Sequence, residues 1–199
     1  MGRKPHKFDP AGVAKLDRPE RQGFLPNERV VGMLDLTGSE TVVDYGAGSG
    51  VLSIPVARSL PDGVVHAVDE SPEMIEHLER RLAGSGLTNV RPELIRNNTL
   101  DLAPDSVHRM LAVNLLHEVV RENALREMRR VLRPDGFALV VDWRADVERE
   151  TGPPADDSLT PEAGREMLEE AGFDVTAPRG EPFPYHFAYL ARRPAEDRP

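Results

Sequence analysis

Val42-Val43-Asp44-Tyr45-Gly46-Ala47-Gly48-Ser49-Gly50 is the stretch that decides the fold, together with Asp69, which stands nineteen residues beyond Gly50. Thr41-Val42-Val43 is short, β-branched and apolar, the pattern of a buried strand. Three alternating glycines then let the backbone take positive φ and come close to a ligand. The helix expected next offers free N–H groups and a partial positive charge to an anionic group. Asp69 closes a second apolar run, Val64 to Val68, where a carboxylate can accept hydrogen bonds from ribose hydroxyls.

The glycine spacing excludes two common nucleotide loops. A G-x-G-x-x-G fingerprint from Gly46 requires glycine at 51, where Val51 stands; from Gly48 it requires glycine or alanine at 53, where Ser53 stands. No Lys-Ser/Thr pair follows, so this is not a phosphate-binding P-loop. What remains is D-x-G-x-G-x-G with an acid at the tip of the next strand.

Outward from this stretch, strands and helices alternate. Strands are predicted at 41–45, 63–69, 90–95, 110–113 and 137–141, with Pro92 weakening the third. Helices are predicted at 27–36, 50–59, 71–83 and 122–132. Asn27 and Ser71 are the N-caps of the first and third, and Pro72 is at N1. Asp9-Pro10 and Arg18-Pro19 mark turns in the lead-in, and Pro134-Asp135-Gly136 a sharp turn before the fifth strand. The alternation predicts an α/β fold with a parallel, doubly wound sheet covered on two faces. After a long polar loop at Gly152-Pro153-Pro154, a helix over 160–171 and two closely spaced strands, 174–177 and 186–191, finish the chain. Residues 1–29 form an N-terminal arm and lead-in, and 30–199 one domain.

Composition narrows the function. The 199 residues are 39% hydrophobic, enough for a sizeable core, and contain no cysteine. Disulfides, zinc–thiolate sites and thiol nucleophiles are excluded. The net charge of −9 disfavours nucleic acid. All three lysines fall in the first fifteen residues, and the basic run Gly2 to Lys7 is a solvated arm. No apolar stretch is long enough to span a bilayer, and none follows the basic N-terminus as a signal peptide requires. A cytoplasmic location is expected. The histidines lack metal-ligand spacing, and His117-Glu118 is not H-E-x-x-H because Arg121 stands at the last position.

The motifs together resemble the class I S-adenosylmethionine-dependent methyltransferases over about residues 30–191. Besides the glycine turn, Val64 to Met74 is similar to the family's second motif, and Arg129 to Gly136 to its turn before strand five. Asn114-Leu115-Leu116-His117-Glu118-Val119 is similar to its segment after strand four. The likeness is greatest to the ubiquinone/menaquinone-biosynthesis-like group of small-molecule methyltransferases. The resemblance implies a Rossmann-like doubly wound seven-stranded sheet, order 3-2-1-4-5-7-6, with strand 7 antiparallel. It implies S-adenosyl-L-methionine as cofactor, held by Asp44, Tyr45, Gly46, Ala47, Gly48 and Gly50 on the methionine side and by Asp69 at the ribose. Glu70 and Met74 flank the adenine, and Asn114 closes the site after strand four. Within that family, the lack of cysteine excludes cysteine-dependent subclasses such as arsenite methylation.

Three positions depart from the family pattern. Arg96-Asn97-Asn98 stands where an acid usually meets the adenine amino group, and the amide of Asn97 or Asn98 can accept that hydrogen bond instead. His108 replaces an aspartate before strand four. Tyr45 is bulkier than the usual residue and is expected to narrow the cofactor channel.

The expected chemistry is in-line methyl transfer to a small-molecule acceptor, with S-adenosylhomocysteine as product. Methylation of a macromolecule and non-catalytic cofactor binding are the alternatives. His117 is the candidate general base, its pKa lying naturally in the useful range. Glu118 is its neighbour in sequence, and adjacent helical residues do not face each other. Asp142, beyond strand five, is the second catalytic candidate. Trp143, Arg144, Tyr185 and His186 are candidate acceptor contacts, Trp143 by stacking and Arg144 by pairing with a carboxylate. Tyr185 and His186 are expected in the loop of the final hairpin.

Overall fold

The structure is a computed structural model, and it describes residues 18–118, 122–180 and 183–194. The basic run Gly2 to Lys7 and the Asp9-Pro10 turn lie outside the described residues. The elements run α1 (Pro19–Phe24), α2 (Asn27–Gly32), β1 (Thr41–Tyr45), α3 (Ser53–Arg58), β2 (Val64–Asp69), α4 (Pro72–Ala83) and β3 (Val90–Leu94). They continue β4 (Val107–Val113), α5 (Glu122–Val131), β5 (Leu132–Trp143), α6 (Pro161–Glu170), β6 (Asp174–Thr176) and β7 (His186–Arg192).

The seven strands form one sheet in the order β3-β2-β1-β4-β5-β7-β6. β1 to β5 pair in parallel, and β7 runs antiparallel to its neighbours β5 and β6. This is the expected topology. Side chains alternate across the sheet, so neighbouring residues go to opposite cores. Val43, Met110 and Val140 enter one core with Leu168 and Phe187; Val42, Leu111 and Leu139 enter the other with Leu25 and Val30. β1 is therefore buried on two faces from Val42 to Tyr45, as a parallel strand covered on two faces must be. Pro92 is tolerated because β3 is an edge strand and one side of it makes no ladder bonds.

Local chemistry explains most boundaries. Ser71 caps α4 by accepting from Met74 N at 3.2 Å, and Thr160 caps α6 by accepting from Ala163 N at 3.1 Å, with proline following each cap. Elsewhere the structure corrects the sequence reading. Arg18-Pro19 opens the short helix α1 instead of marking a turn. α2 stops at Gly32 because the chain turns tightly through Asp35 at φ 49°, yet Leu34 beyond it stays fully buried. α3 begins at Ser53, later than expected, because Gly50 at φ 79° closes a turn onto Ala47 O. β4 and β5 are longer than expected. Leu132 pairs with Val107, and Arg133-Pro134-Asp135-Gly136 is a bulge within β5. His108 accepts from Thr41 N at 3.1 Å and so joins β4 to the start of β1.

Where the chain enters β2, Gly63 lies against the start of β1. A Cβ there would stand 2.4 Å from Glu40 O and 3.0 Å from Glu40 N, both backbone atoms that cannot step aside. Gly63→Ala is expected to cost roughly 1–3 kcal/mol, read as a lower urea midpoint with an unchanged slope. An unshifted midpoint would show that this corner yields without cost.

Candidate active site

The glycine turn hangs on the tip of β2. Gly46 N and Ala47 N each donate to Val68 O at 2.9 Å. Gly48 N donates to Asp69 Oδ2 at 2.8 Å, and Ser71 N donates to Asp69 Oδ1 at 2.9 Å. One carboxylate thus joins the turn to the N-terminus of α4. Burial pushes the Asp69 carboxyl above its ordinary range, against the pull of the Ser71 and Gly48 hydrogen bonds, and the charge of Glu70 adds to the rise. A carboxylate has about four acceptor positions, so two remain for hydroxyl donors. Gly46 is at φ 75°, and a Cβ there would lie 2.9 Å from Leu115 Cδ1. The turn accepts only glycine at that point.

The other cofactor-side candidates take distinct places. Asp44 is buried and accepts from Ser53 Oγ at 2.6 Å. Burial raises its carboxyl to about 6, the Ser53 bond opposing and the charge of Asp69 reinforcing. Asp44 therefore braces the start of α3 from inside. Tyr45 stands in the core instead of an open channel, its hydroxyl 3.3 Å from both Asn98 O and Asn98 Oδ1. Asn97 and Asn98 have φ of 54° and 58°, and Thr99 N closes the turn onto Arg96 O at 3.1 Å. Asparagine is one of the few residues that accept two successive left-handed positions. Asn97 is exposed and Asn98 half-buried, so Asn98 is the one facing inward. Met74 is buried in the first turn of α4, while Glu70 is exposed. Asn114 follows β4 at φ 56°, its N–H donating to Val141 O at 2.8 Å. Its Oδ1 is buried and has no partner.

At the tips of β4 and β5 the two catalytic candidates meet. His117 Nδ1 is 2.6 Å from Asp142 Oδ1, and His117 N donates to Asp142 Oδ2 at 2.9 Å. Trp143 N donates to Asp142 Oδ1 at 2.7 Å, and Asp142 is fully buried. Glu118, expected to face away, brings Oε1 to 3.8 Å from His117 Nε2, because residues 116–118 form a turn and not a helix. Burial pulls the imidazole down, but the hydrogen bond to Asp142, the charge of Asp142 and that of Glu118 hold it above its ordinary value.

The acceptor-side candidates divide. Trp143 and His186 pack with ring centroids 4.0 Å apart. His186 is not in a loop: it is the first residue of β7, 1% exposed, in register with Trp143. Tyr185 lies 5.7 Å from the Phe24 ring, and its carbonyl accepts from Arg144 N. Arg144 is taken by Asp146, with contacts of 2.9 and 2.6 Å, and does not face the cluster as a free cation. Sequence reading missed Leu115, Arg149 and the contribution of α1. Arg149 lies over Trp143 at 5.3 Å, and Phe24 of α1 packs on Trp143 at 5.6 Å. Among the described residues no group of His, Asp and Glu is placed to hold a metal.

A parallel sheet with an antiparallel seventh strand, a glycine turn after β1 and an acid after β2 define a Rossmann-like domain of the methyltransferase type. A family model for a methyltransferase domain matches residues 42–136, from β1 into β5. The crystal structure of an S-adenosylmethionine-dependent methyltransferase from Aquifex aeolicus superposes with a TM-score of 0.86 at 29% identity, covering 93% of this chain and 98% of that one. An arsenite methyltransferase of Halobacterium salinarum is 32% identical over 161 residues, 71% of this chain and 40% of that protein. The ribosomal RNA large subunit methyltransferase G of Shewanella amazonensis is 27% identical over 109 residues, 51% of this chain and 28% of that protein. The chain spans less than half the length of these two curated relatives. It belongs to the class I S-adenosylmethionine-dependent methyltransferases, whose cofactor is S-adenosyl-L-methionine.

The residues present fit that cofactor. Asp69 has acceptor capacity for the ribose. The unpartnered Asn114 Oδ1 suits the ammonium of the methionine part, and the turn at Gly46 has no side chain. Because hydrogen bonds to a charged group contribute about 1.5–3 kcal/mol, Asp69→Ala is expected to weaken S-adenosylhomocysteine binding at least tenfold by calorimetry. Unchanged affinity would remove Asp69 from the ribose.

Proposed function

We propose that the protein transfers a methyl group from S-adenosylmethionine to a small-molecule acceptor, with His117 taking the acceptor's proton. The observation that carries this reading is the His117–Asp142 pair at 2.6 Å between the tips of β4 and β5. Asp142 is an acceptor at His117 Nδ1, so Nδ1 carries the proton and Nε2 the lone pair. His117 N and Trp143 N, which also donate to Asp142, fix that carboxylate and through it the ring. The bound cofactor supplies an electrophilic methyl on sulfur. The chain has to position the acceptor, exclude water and receive a proton.

The acidic net charge of −9 supports a small acceptor over RNA, despite the relative named for ribosomal RNA. Arsenite is not carried over from the Halobacterium relative. Trivalent arsenic is a soft centre that calls for thiolate ligands, and these 199 residues include no cysteine. The absence of any helix long and apolar enough to cross a membrane, among the described residues, is consistent with a cytoplasmic enzyme acting on a diffusible acceptor.

A general base works only when unprotonated. With the pKa of His117 raised, turnover is expected to rise with pH through a midpoint above the ordinary histidine value of about 6.5. In Asp142→Asn the loss of the carboxylate moves that midpoint down and lowers kcat by about 10²-fold or more, while S-adenosylhomocysteine affinity holds. Methyl transfer followed across pH on a panel of phenols, amines and carbon acids tests this. Parental turnover in His117→Ala, or the same midpoint in Asp142→Asn, would contradict it.

A further inference from the structure

His186 is a buried histidine that the chain leaves unsatisfied. It is 1% exposed, and neither ring nitrogen has a hydrogen-bond partner. Leaving buried polar atoms unpaired costs about 1–3 kcal/mol each, and such a group calls for an explanation. Its surroundings are aromatic and cationic. The ring stacks on Phe24 at 5.9 Å with an interplanar angle of 10°, and packs on Trp143 at 4.0 Å. Arg149 lies over the Trp143 ring, its Nε buried without a partner. Arg29, over the Phe183 ring at 4.4 Å, has Nη2 in the same condition.

The charges that act most on His186 are cationic. Burial first, then the charges of Arg21, Arg149 and His117, hold the imidazole down to about 3, so it is neutral and offers one donor and one acceptor. The nearby carboxylate of Asp142 is taken up by His117 and the N–H of Trp143. Arg149 donates Nη1 to Arg144 O and Nη2 to Pro153 O and Ser158 Oγ, which leaves its Nε as the donor to spare. A desolvated, aromatic-walled place with an unpaired guanidinium N–H suits an anion attached to a flat apolar body.

We propose that this cluster is the acceptor's recognition site and that it takes an aromatic carboxylate, with its ring against Trp143 and His186 and its carboxylate accepting from Arg149 Nε. This rests on the methyltransferase reading above and adds the substrate class. It moves the carboxylate-binding role from Arg144, which Asp146 occupies, to Arg149. Phe24 belongs to α1, so that helix forms one wall of the site.

The test is calorimetry on the full chain saturated with S-adenosylhomocysteine, using benzoate, benzyl alcohol and benzylamine as probes of one size and three charges. Benzoate is expected to bind at least tenfold more tightly than the other two. Arg149→Met and, separately, His186→Phe are each expected to weaken benzoate at least tenfold with S-adenosylhomocysteine affinity unchanged. Benzylamine or benzyl alcohol binding as well as benzoate, no benzoate binding, or parental benzoate affinity in both variants would overturn the proposal. Loss of S-adenosylhomocysteine binding by the parent chain would instead overturn the methyltransferase reading, so the two failures are distinguishable.

Discussion

The Asp69 carboxylate holds the site together. It sits at the tip of β2 and accepts from Gly48 N at 2.8 Å and from Ser71 N at 2.9 Å. The first bond fixes the glycine turn and the second fixes the start of α4. Val68 O, one residue earlier, fixes Gly46 N and Ala47 N. Burying a carboxyl is costly unless it is hydrogen-bonded, and here the bonds that offset burial also shape the crevice. The same group then has acceptor capacity left for a ribose. With the ribose placed there as proposed, structure and binding converge on one side chain.

A second carboxylate plays the corresponding part at the tips of β4 and β5. Asp142 is fully buried at the end of β5 and is satisfied by two backbone N–H groups and one imidazole. Parallel strands end at the same edge of the sheet, and ligands in open α/β sheets bind beyond those carboxyl ends. β1 and β2 deliver the glycine turn and Asp69 to that edge, β4 and β5 the His–Asp pair. β7 runs the other way and so brings its first residue, His186, to the same edge in register with Trp143. The antiparallel strand is what places an aromatic and cationic cluster beside the pair.

The glycine turn and the acid beyond it were legible in the sequence because they are local. A strand, a glycine turn and an acid at the next strand's tip are set by short-range geometry, and so are the caps at Ser71 and Thr160. The strand order followed from family resemblance and not from any periodicity. What escaped notice is governed by tertiary contacts. α1 is six residues long with no apolar period, and its place comes from packing such as that of Leu25, fully buried just beyond it. Glu118 faces His117 because the backbone turns there instead of continuing as a helix. Nothing in Tyr185-His186-Phe187 marks the histidine as buried, since its burial depends on Trp143 in the neighbouring strand. Arg149 sits in a long polar loop where charge pattern carries no address.

The most direct measurement is a crystal structure of the protein with S-adenosylhomocysteine. The ribose hydroxyls are expected on Asp69, the amino group on Asn114 Oδ1 and the homocysteine against the turn at Gly46. A ligand bound elsewhere, or a crevice closed by Leu115 and Tyr45 at saturating ligand, would contradict that placement.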